Sequence, residues 1–177
     1  MNTRLAFVAI STLALAACGD SGVVEDPSDP EQIAAATANL PTPQAGEYRI
    51  TGDLVDLQVE GVSDQEAQMM RTMFEGMFAQ ERTQCLSQDD IDEGHQQLLE
   101  GLTNTGEGCE YTAYAVSGNT IDATMQCNDT NGTSGTMEFD GTVTETSQNI
   151  TLAMDMTAEG QGFDMTLNMT QERVGDC

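Results

Sequence analysis

A regular alternation of apolar and polar residues near the C-terminus constrains the fold more than any other feature of the sequence. Its period is two, which places successive side chains on opposite faces of a strand. The sequence therefore predicts a sheet with one buried face and one solvated face. This pattern indicates an architecture and does not indicate an activity. The apolar members of its three segments are Met137, Phe139, Gly141 and Val143, then Ile150, Leu152, Met154 and Met156, then Phe163, Met165, Leu167 and Met169.

A further hairpin is predicted between Cys109 and Cys127, with its turn at Ser117-Gly118-Asn119. A three-residue loop there keeps the apolar residues on one face and sets the two cysteines directly opposite each other. Directly opposed residues lie about 4.5–5.5 Å apart, which is within disulfide range. The predicted pairs of this hairpin are Ala115–Ile121, Ala113–Ala123, Tyr111–Met125 and Cys109–Cys127. Those of the following hairpins are Val143–Ile150, Phe139–Met154, Met154–Met165 and Ile150–Met169.

The segment from Ser63 to Gln84 has a helical period instead. Its apolar residues recur at i, i+3, i+4, i+7 and i+8, which predicts an amphipathic helix with one apolar stripe. Ser63 and Glu66 form a capping box at its start. A second helix is predicted from Asp89 to Leu102, with Ser87 as its N-cap. The stripe of the first helix consists of Met70, Met73, Phe74, Met77 and Phe78.

The segment from Glu47 to Glu60 allows two arrangements, because the parity of its apolar residues switches near Gly52. A hairpin turning at Gly52-Asp53 accounts for the switch, and so does one long strand with a β-bulge at Gly52. The predicted fold class is α+β. It is an antiparallel β-meander of six to seven strands, as a curved sheet or partly open barrel. One or two helices are inserted after the first strand or hairpin and packed on the sheet.

Residues 1–17 predict an export signal. Arg4 is followed by a run of apolar and small residues that ends in Leu15-Ala16-Ala17-Cys18, which is the layout of a signal peptide. The run is shorter than the about 20 apolar residues that a transmembrane helix needs. Its last four residues resemble the lipobox of bacterial lipoproteins, in which the cysteine is acylated and becomes the mature N-terminus. We therefore expect a lipoprotein signal peptide over residues 1–17 and a lipid on Cys18.

Residues 18–45 hold all four prolines and few large apolar residues, so we expect an acylated N-terminus followed by a tether. Within this segment, Asp29 and Pro30 begin a short predicted helix, with Gln32 as the capping partner. A flexible tether of this length would span about 30 Å and would hold a domain of residues 46–177 clear of the lipid headgroups. Gly19 follows Cys18 where an aspartate would resemble an inner-membrane retention signal, which favours the outer membrane.

The cysteine count fits an envelope location. One acylated cysteine leaves four of the five, an even number that suits disulfides in an oxidising compartment. Four cysteines allow three pairings. The sheet register favours Cys109–Cys127, which leaves Cys85–Cys177 as the second bridge. A first helix of about 30 Å could carry Cys85 to the far end of the sheet, where the final strand would also end.

The charge balance bears on the class of partner. Five basic residues, none of them lysine, stand against 30 acidic residues and give a net charge of −25. Such a surface repels nucleic acid, whose binding needs Lys and Arg at the phosphates. It repels anionic lipid headgroups as well, so we expect membrane attachment through the acyl chains.

The sequence contains no pattern that predicts catalysis. The eleven methionines could suit Cu(I). Those from Met125 on lie on the predicted apolar face of the sheet, however, and Met70, Met73 and Met77 lie on the helix stripe, which favours core packing. His95 is the only histidine, so no second histidine is present to build a zinc site, and we expect His95 to be an exposed surface residue. The turn from Asn128 to Gly132 faintly resembles a calcium loop but lacks the later bidentate glutamate. We therefore predict no cofactor, no metal and no enzymatic activity.

Four short stretches form a recognisable set. They are Gly46-Glu47-Tyr48, Gln84-Cys85-Leu86-Ser87, the pair Cys109 and Cys127, and Arg173-Val174-Gly175-Asp176-Cys177. This set resembles a proteobacterial family, the domain of unknown function number three-six-one-seven, over about residues 45–177. Tyr48 stands where members often carry tryptophan. The resemblance implies a secreted, disulfide-bonded envelope domain and carries over no catalytic residue.

Two classes of function remain. An envelope lipoprotein facing the periplasm could be a non-catalytic binding or structural module for another envelope protein. Alternatively, the sheet and the Met/Phe helix could enclose a cavity that carries or senses a lipid or another hydrophobic small molecule. The expected partners are the membrane, through the acyl chains, and either an envelope protein or a hydrophobic ligand.

Overall fold

The computed structural model describes residues 22–93, 108–128, 132–158 and 160–177. All the strands labelled below belong to one antiparallel sheet with the order β1-β4-β5-β6-β7-β8-β2-β3. The sheet is open, β1 and β3 are its edges, and helices α1 and α2 lie against it. The predicted α+β meander is confirmed. The elements are β1 (Gly22–Val23), α1 (Pro30–Thr37), β2 (Gly46–Val59), α2 (Asp64–Phe78), β3 (Arg82–Leu86), β4 (Cys109–Ser117), β5 (Thr120–Asn128), β6 (Thr133–Val143), β7 (Ser147–Ala158) and β8 (Gln161–Gly175).

One face of the sheet is apolar across six strands, because directly opposed residues of neighbouring strands share a face. The predicted alternation is thereby confirmed for β6, β7 and β8. The opposite face carries mainly threonine, asparagine and acidic side chains. The apolar rows are Val116-Ile121-Gly141-Ile150-Met169-Gly52, Tyr114-Ala123-Phe139-Leu152-Leu167-Leu54, Tyr111-Met125-Met137-Met154-Met165-Leu57 and Cys109-Cys127-Gly135-Met156-Phe163-Val59.

The register of the last two hairpins is partly the predicted one. The pairs Met154–Met165 and Ile150–Met169 are confirmed. The pairs Val143–Ile150 and Phe139–Met154 are wrong by two residues, and the observed pairs are Gly141–Ile150 and Phe139–Leu152. The β6–β7 turn is tighter than predicted, since the Thr144 amide donates to the Ser147 carbonyl at 2.7 Å. A shift of two residues keeps every side chain on its predicted face.

The β4–β5 hairpin departs from the prediction near its turn. The pairs Tyr111–Met125 and Cys109–Cys127 are confirmed, whereas Val116–Ile121 and Tyr114–Ala123 replace Ala115–Ile121 and Ala113–Ala123. The turn contains two residues instead of three, and a β-bulge at Thr112 compensates for the difference. Because of this bulge, Tyr114 and Val116 enter the core in place of two alanines, and they are only 2 % and 4 % exposed.

β2 is one long strand, so the hairpin alternative for this segment is wrong. Its register against β8 shifts between Leu54 and Asp56, which makes Val55 the bulged residue rather than Gly52. Gly52 has another role, because it lies under the end of α2. A Cβ atom at this position would approach the Phe78 carbonyl oxygen to 3.3 Å.

α2 begins at the predicted capping box and ends at Phe78, before the predicted end at Gln84. The residues that follow form β3, which pairs with the start of β2. The cap of the next helix is confirmed, since the Ser87 amide and hydroxyl both donate to the Asp90 carboxylate. Residues 88–93 are helical. The rest of this predicted helix, including His95, lies outside the described residues.

Residues 22–40 form a strap on the sheet, although the sequence predicts them to be part of a tether. β1 pairs with the edge of β4, and α1 lies against the same strand. Asp29 caps α1 as predicted, accepting from the Glu31 amide and from the Gln32 side chain. The few large apolar residues of the strap find an apolar surface on β4, which composition alone does not reveal.

Candidate functional site

Two disulfides join the cysteines of the domain in the pairing that the sequence favours. Cys85 and Cys177 are bonded at 2.04 Å, and Cys109 and Cys127 at 2.02 Å. The route of Cys85 differs from the expected one, because edge strand β3 carries it beside β2 instead of a long helix. Cys18, the predicted lipid attachment site, lies outside the described residues.

The first and last of the recognisable stretches meet at one corner of the domain, where β2 begins and β8 ends. Gly46 has a φ of 153°, and Arg173 and Gly175 occupy the space that its Cβ would need. A side chain at this position would therefore collide with both residues. The Arg173 Nε donates to the Ala45 carbonyl at 2.9 Å. These stretches thus have a structural explanation.

Tyr48 is buried at this corner and hydrogen-bonds to backbone. It is 1 % exposed, and its hydroxyl lies 2.7 Å from the Gln44 carbonyl oxygen and 3.2 Å from that of Glu145. Burial raises the pKa of Tyr48, against the opposing effects of the Arg173 charge and the hydrogen bond to Gln44. The phenol keeps its proton and donates it to backbone, which ties the entry to β2 to the β6–β7 turn.

α2 carries two adjacent rows of apolar residues, and only one of them faces the sheet. The inner row consists of Met70, Phe74 and Phe78, which are half-buried. The Phe74 ring lies 6.2 Å from that of Phe78 and 6.3 Å from that of Phe163 on β8. No residue of α2 is fully buried. The helix therefore lies on the sheet without being enclosed by it.

The outer row of α2 consists of Met69, Met73 and Met77, which are 65 %, 58 % and 45 % exposed. The prediction that Met73 and Met77 pack with the rest of the stripe is wrong. The apolar sector of the helix is wider than the strip that contacts the sheet. A shallow depression of about 500 Å³ lies beside this row, lined by Gln65, Gln68, Met69, Thr72 and Met73.

The apolar face of the sheet is buried unevenly. Leu57, Met165 and Leu167 are buried, at 8 %, 7 % and 4 % exposure. Towards the middle of the sheet the apolar side chains are only half-buried, and Met169 is 44 % exposed. Apolar surface that stays accessible on this face is chemically suited to a hydrophobic ligand. The half-buried residues are Met137, Phe139, Ile150, Leu152, Met154 and Met156.

The polar face has a second shallow depression, of about 510 Å³, across β5 to β8. Cross-strand hydrogen bonds order part of it, with Thr151 Oγ1 donating to Asn168 Oδ1 at 2.9 Å. The sequence does not distinguish these residues, because each is an ordinary polar member of an alternating strand and only the register brings them together. The polar side chains along it are those of Thr120, Asp122, Asp140, Thr142, Asn149, Thr151, Asn168 and Thr170.

Within the described ranges, no group of three or more His, Cys, Asp or Glu side chains is arranged to hold a metal ion. The same part of the chain has no helix that is both long and apolar enough to cross a membrane. The absence of a cofactor and of enzymatic activity remains a prediction.

The fold and the corner define a class of protein: an α+β domain with one open antiparallel sheet, two helices against it and two disulfides. A family model described as a protein of unknown function (DUF3617) matches residues 43–177, and the chain belongs to this family. No curated protein and no solved structure matches the chain. The strap, residues 22–40, precedes the matched region.

Proposed function

We propose that the protein is a non-catalytic binding module of the cell envelope. It is held in the membrane by a lipid on Cys18 and faces the periplasm, and the outer membrane is favoured over the inner membrane. Its partner is another envelope protein, which binds the outer methionine row of α2. The exposure of Met69, Met73 and Met77 carries this proposal. Methionine is adaptable and is frequent at binding surfaces, and an apolar row on one helix face suits an apolar segment of a partner.

The energetics support a binding surface of moderate strength. Fully burying a methionine side chain contributes about 1.5–3 kcal/mol. The three outer methionines are about half exposed, so covering them contributes about 3 kcal/mol in total. This is enough for the apolar centre of an interface and too little for a whole one. The uncharged side chains beside the row, Gln65, Gln68 and Thr72, supply a polar rim.

The acidic residues around the outer row indicate the charge that the partner segment should carry. Asp64, Glu66 and Glu75 lie on the same helix and are exposed, in a chain of net charge −25. A partner segment with an apolar centre and basic flanks complements this surface, and the basic residues speed association and set its orientation.

Site-specific photo-crosslinking tests the proposal in intact cells. A photoreactive amino acid at Thr72, beside the row, is expected to give one discrete protein adduct in the full-length lipoprotein. Met73→Asp should abolish the adduct because it places a charge at the apolar centre. Val174→Asp is the matched control, since Val174 is an exposed valine at 40 % on β8. Absence of an adduct, or an equal loss in both variants, would contradict the proposal.

A second function, carriage of a hydrophobic small molecule, is supported by the half-buried apolar face under α2. A ligand between the sheet and the helix would contact the inner row and Phe163. Native mass spectrometry of the unacylated protein (Cys18→Ala) should then show a lipid-sized added mass. Phe163→Ser should remove it, whereas Met73→Asp on the outer row should not. A bare protein mass throughout would count against the carrier function.

A further inference from the structure

The strap is seated on the domain by backbone pairing along the edge of β4. Gly22 lies opposite Val116 and Val23 opposite Ala115. The Val24 amide donates to the Tyr114 carbonyl at 2.9 Å. The strap thus enters the sheet one residue from the end of β4, beside the β4–β5 turn.

Buried side chains fix the strap further. Ile33 is 2 % exposed and packs in one apolar cluster with Tyr114, Val116 and Ala123. Thr37 is also 2 % exposed, and its Oγ1 lies 2.6 Å from the Tyr114 hydroxyl. The docked strap therefore contributes to the buried core of this half of the domain and is not a loose connection.

Docking changes the length of chain between the predicted lipid and the domain. Gly22 follows Cys18 by four residues, so their Cα atoms can be at most about 14 Å apart whatever path the chain takes. With the strap released, residues 18–45 would act as a flexible chain with a root-mean-square span of about 30 Å. The docked strap therefore shortens the connection to the membrane about two-fold.

We propose that the docked strap orients the domain on the lipid surface, with the β4–β5 turn towards the membrane and the Cys109–Cys127 end away from it. This inference rests on the proposed acylation of Cys18. Val116 and Cys109 are seven positions apart along β4, which places the two ends of this strand about 23 Å apart. α2 begins at the far end, after Val59, and runs back to Phe78 over Gly52, in the row of Val116. Docking therefore leaves Met69, at the start of the outer methionine row, on the side away from the membrane.

Fluorescence quenching on vesicles tests the orientation. The full-length lipoprotein is reconstituted in phosphatidylethanolamine and phosphatidylcholine vesicles that contain a nitroxide-labelled lipid. A fluorophore is attached either at Asn119→Cys in the β4–β5 turn or at Ala158→Cys at the far end. Quenching is expected to be at least two-fold stronger at the turn. Equal quenching at the two ends would overturn the proposal.

Quenching is then compared between a variant that releases the strap and a matched variant that does not. Ile33→Asp, which buries a charge in the apolar cluster, should reduce quenching at the turn at least two-fold. Ala35→Asp adds the same charge on the exposed side of α1 and should leave quenching unchanged. A cysteine pair at Val23 and Ala115, which lie directly opposite each other, should restore quenching in the Ile33→Asp protein. An Ile33→Asp protein that keeps full quenching, or one that the cysteine pair does not restore, would overturn the proposal.

Vesicle flotation separates this inference from the proposed function. A protein that does not float with the vesicles lacks the anchor, and both proposals then fail. A protein that floats but shows equal quenching at both ends keeps the anchor and loses the orientation. Far-UV circular dichroism checks that the sheet of the Ile33→Asp protein is intact.

Discussion

The hydroxyl groups of Thr37 and Tyr114 form a buried pair. Two substitutions in this pair should lower the free energy of unfolding by unequal amounts, and this difference tests the docking of the strap. Thr37 has one hydroxyl proton, which it donates to the Ile33 carbonyl at 2.8 Å. The Tyr114 hydroxyl must therefore donate to Thr37 Oγ1. Thr37→Val leaves the Tyr114 donor buried without an acceptor, which costs about 1–3 kcal/mol of unfolding free energy. Tyr114→Phe leaves Thr37 bonded to Ile33 and costs about 0.5–1.5 kcal/mol.

Urea unfolding followed by far-UV circular dichroism gives these free energies. The double variant should cost less than the sum of the single ones, because the unpaired donor is gone. Thr72→Val is the matched control, since Thr72 makes the same i−4 bond, to the Gln68 carbonyl at 2.9 Å, on an exposed helix face. Its effect should stay within about 0.5 kcal/mol. A Thr37→Val cost no larger than that of Thr72→Val, or smaller than that of Tyr114→Phe, would refute the reasoning.

Three further predictions concern caps, disulfides and glycines. Hydrogen bonds from the Ser63 hydroxyl and amide hold the pKa of Glu66 below its ordinary value. The stability difference between the wild type and Glu66→Gln should therefore be full at neutral pH and vanish as the pH falls through that lowered pKa, measured by urea unfolding across a pH series. Loss of Cys85–Cys177, at a sequence separation of 92, should cost about 4.6 kcal/mol, and loss of Cys109–Cys127, at a separation of 18, about 3 kcal/mol; paired serine variants compared by denaturation check the order. Gly76→Ala should stabilise by about 0.5–1 kcal/mol because nothing lies within 4 Å of the new Cβ in this helix, whereas Gly135→Ala should destabilise by about 1–3 kcal/mol because its Cβ would collide with backbone of β7; thermal unfolding separates the two signs.

Local features of the fold could be predicted from the sequence. The alternation of β6 to β8 and the caps at Asp29 and Ser63 depend on residues close together in the chain. The register of β4 and β5 near the turn could not be predicted from the sequence. Ala113 and Ala115 alternate with Tyr114 and Val116, so both faces of β4 look apolar, and the bulge at Thr112 decides between them.

Edge elements were missed because a partner defines them. β1 has two residues and β3 is mostly polar, so neither has an alternation of its own. Each is a strand because an edge of β4 or β2 lies beside it. The same holds for the strap, whose burial depends on an apolar surface contributed by residues far along the chain.

The candidate binding surface could be predicted only in part, for the same reason. The sequence identifies the apolar sector of α2, and it gives no means of deciding which row contacts the sheet. That choice follows from Phe78 lying over Gly52 and Phe74 lying against Phe163, both of which are long-range contacts. The exposure of Met73 is visible only once these contacts are known.

Methionine oxidation tests the central claim, that a protein partner covers the outer row of α2, most directly. Peroxide is applied to the purified lipoprotein and to intact cells, and the sulfoxide at each site is measured by peptide mass spectrometry. In the purified protein, Met73 should oxidise several-fold faster than buried Met165. In cells, oxidation of Met69, Met73 and Met77 should fall several-fold, while that of Met169, exposed on the sheet at 44 %, stays unchanged. Equal oxidation of the outer row in both preparations would contradict the claim.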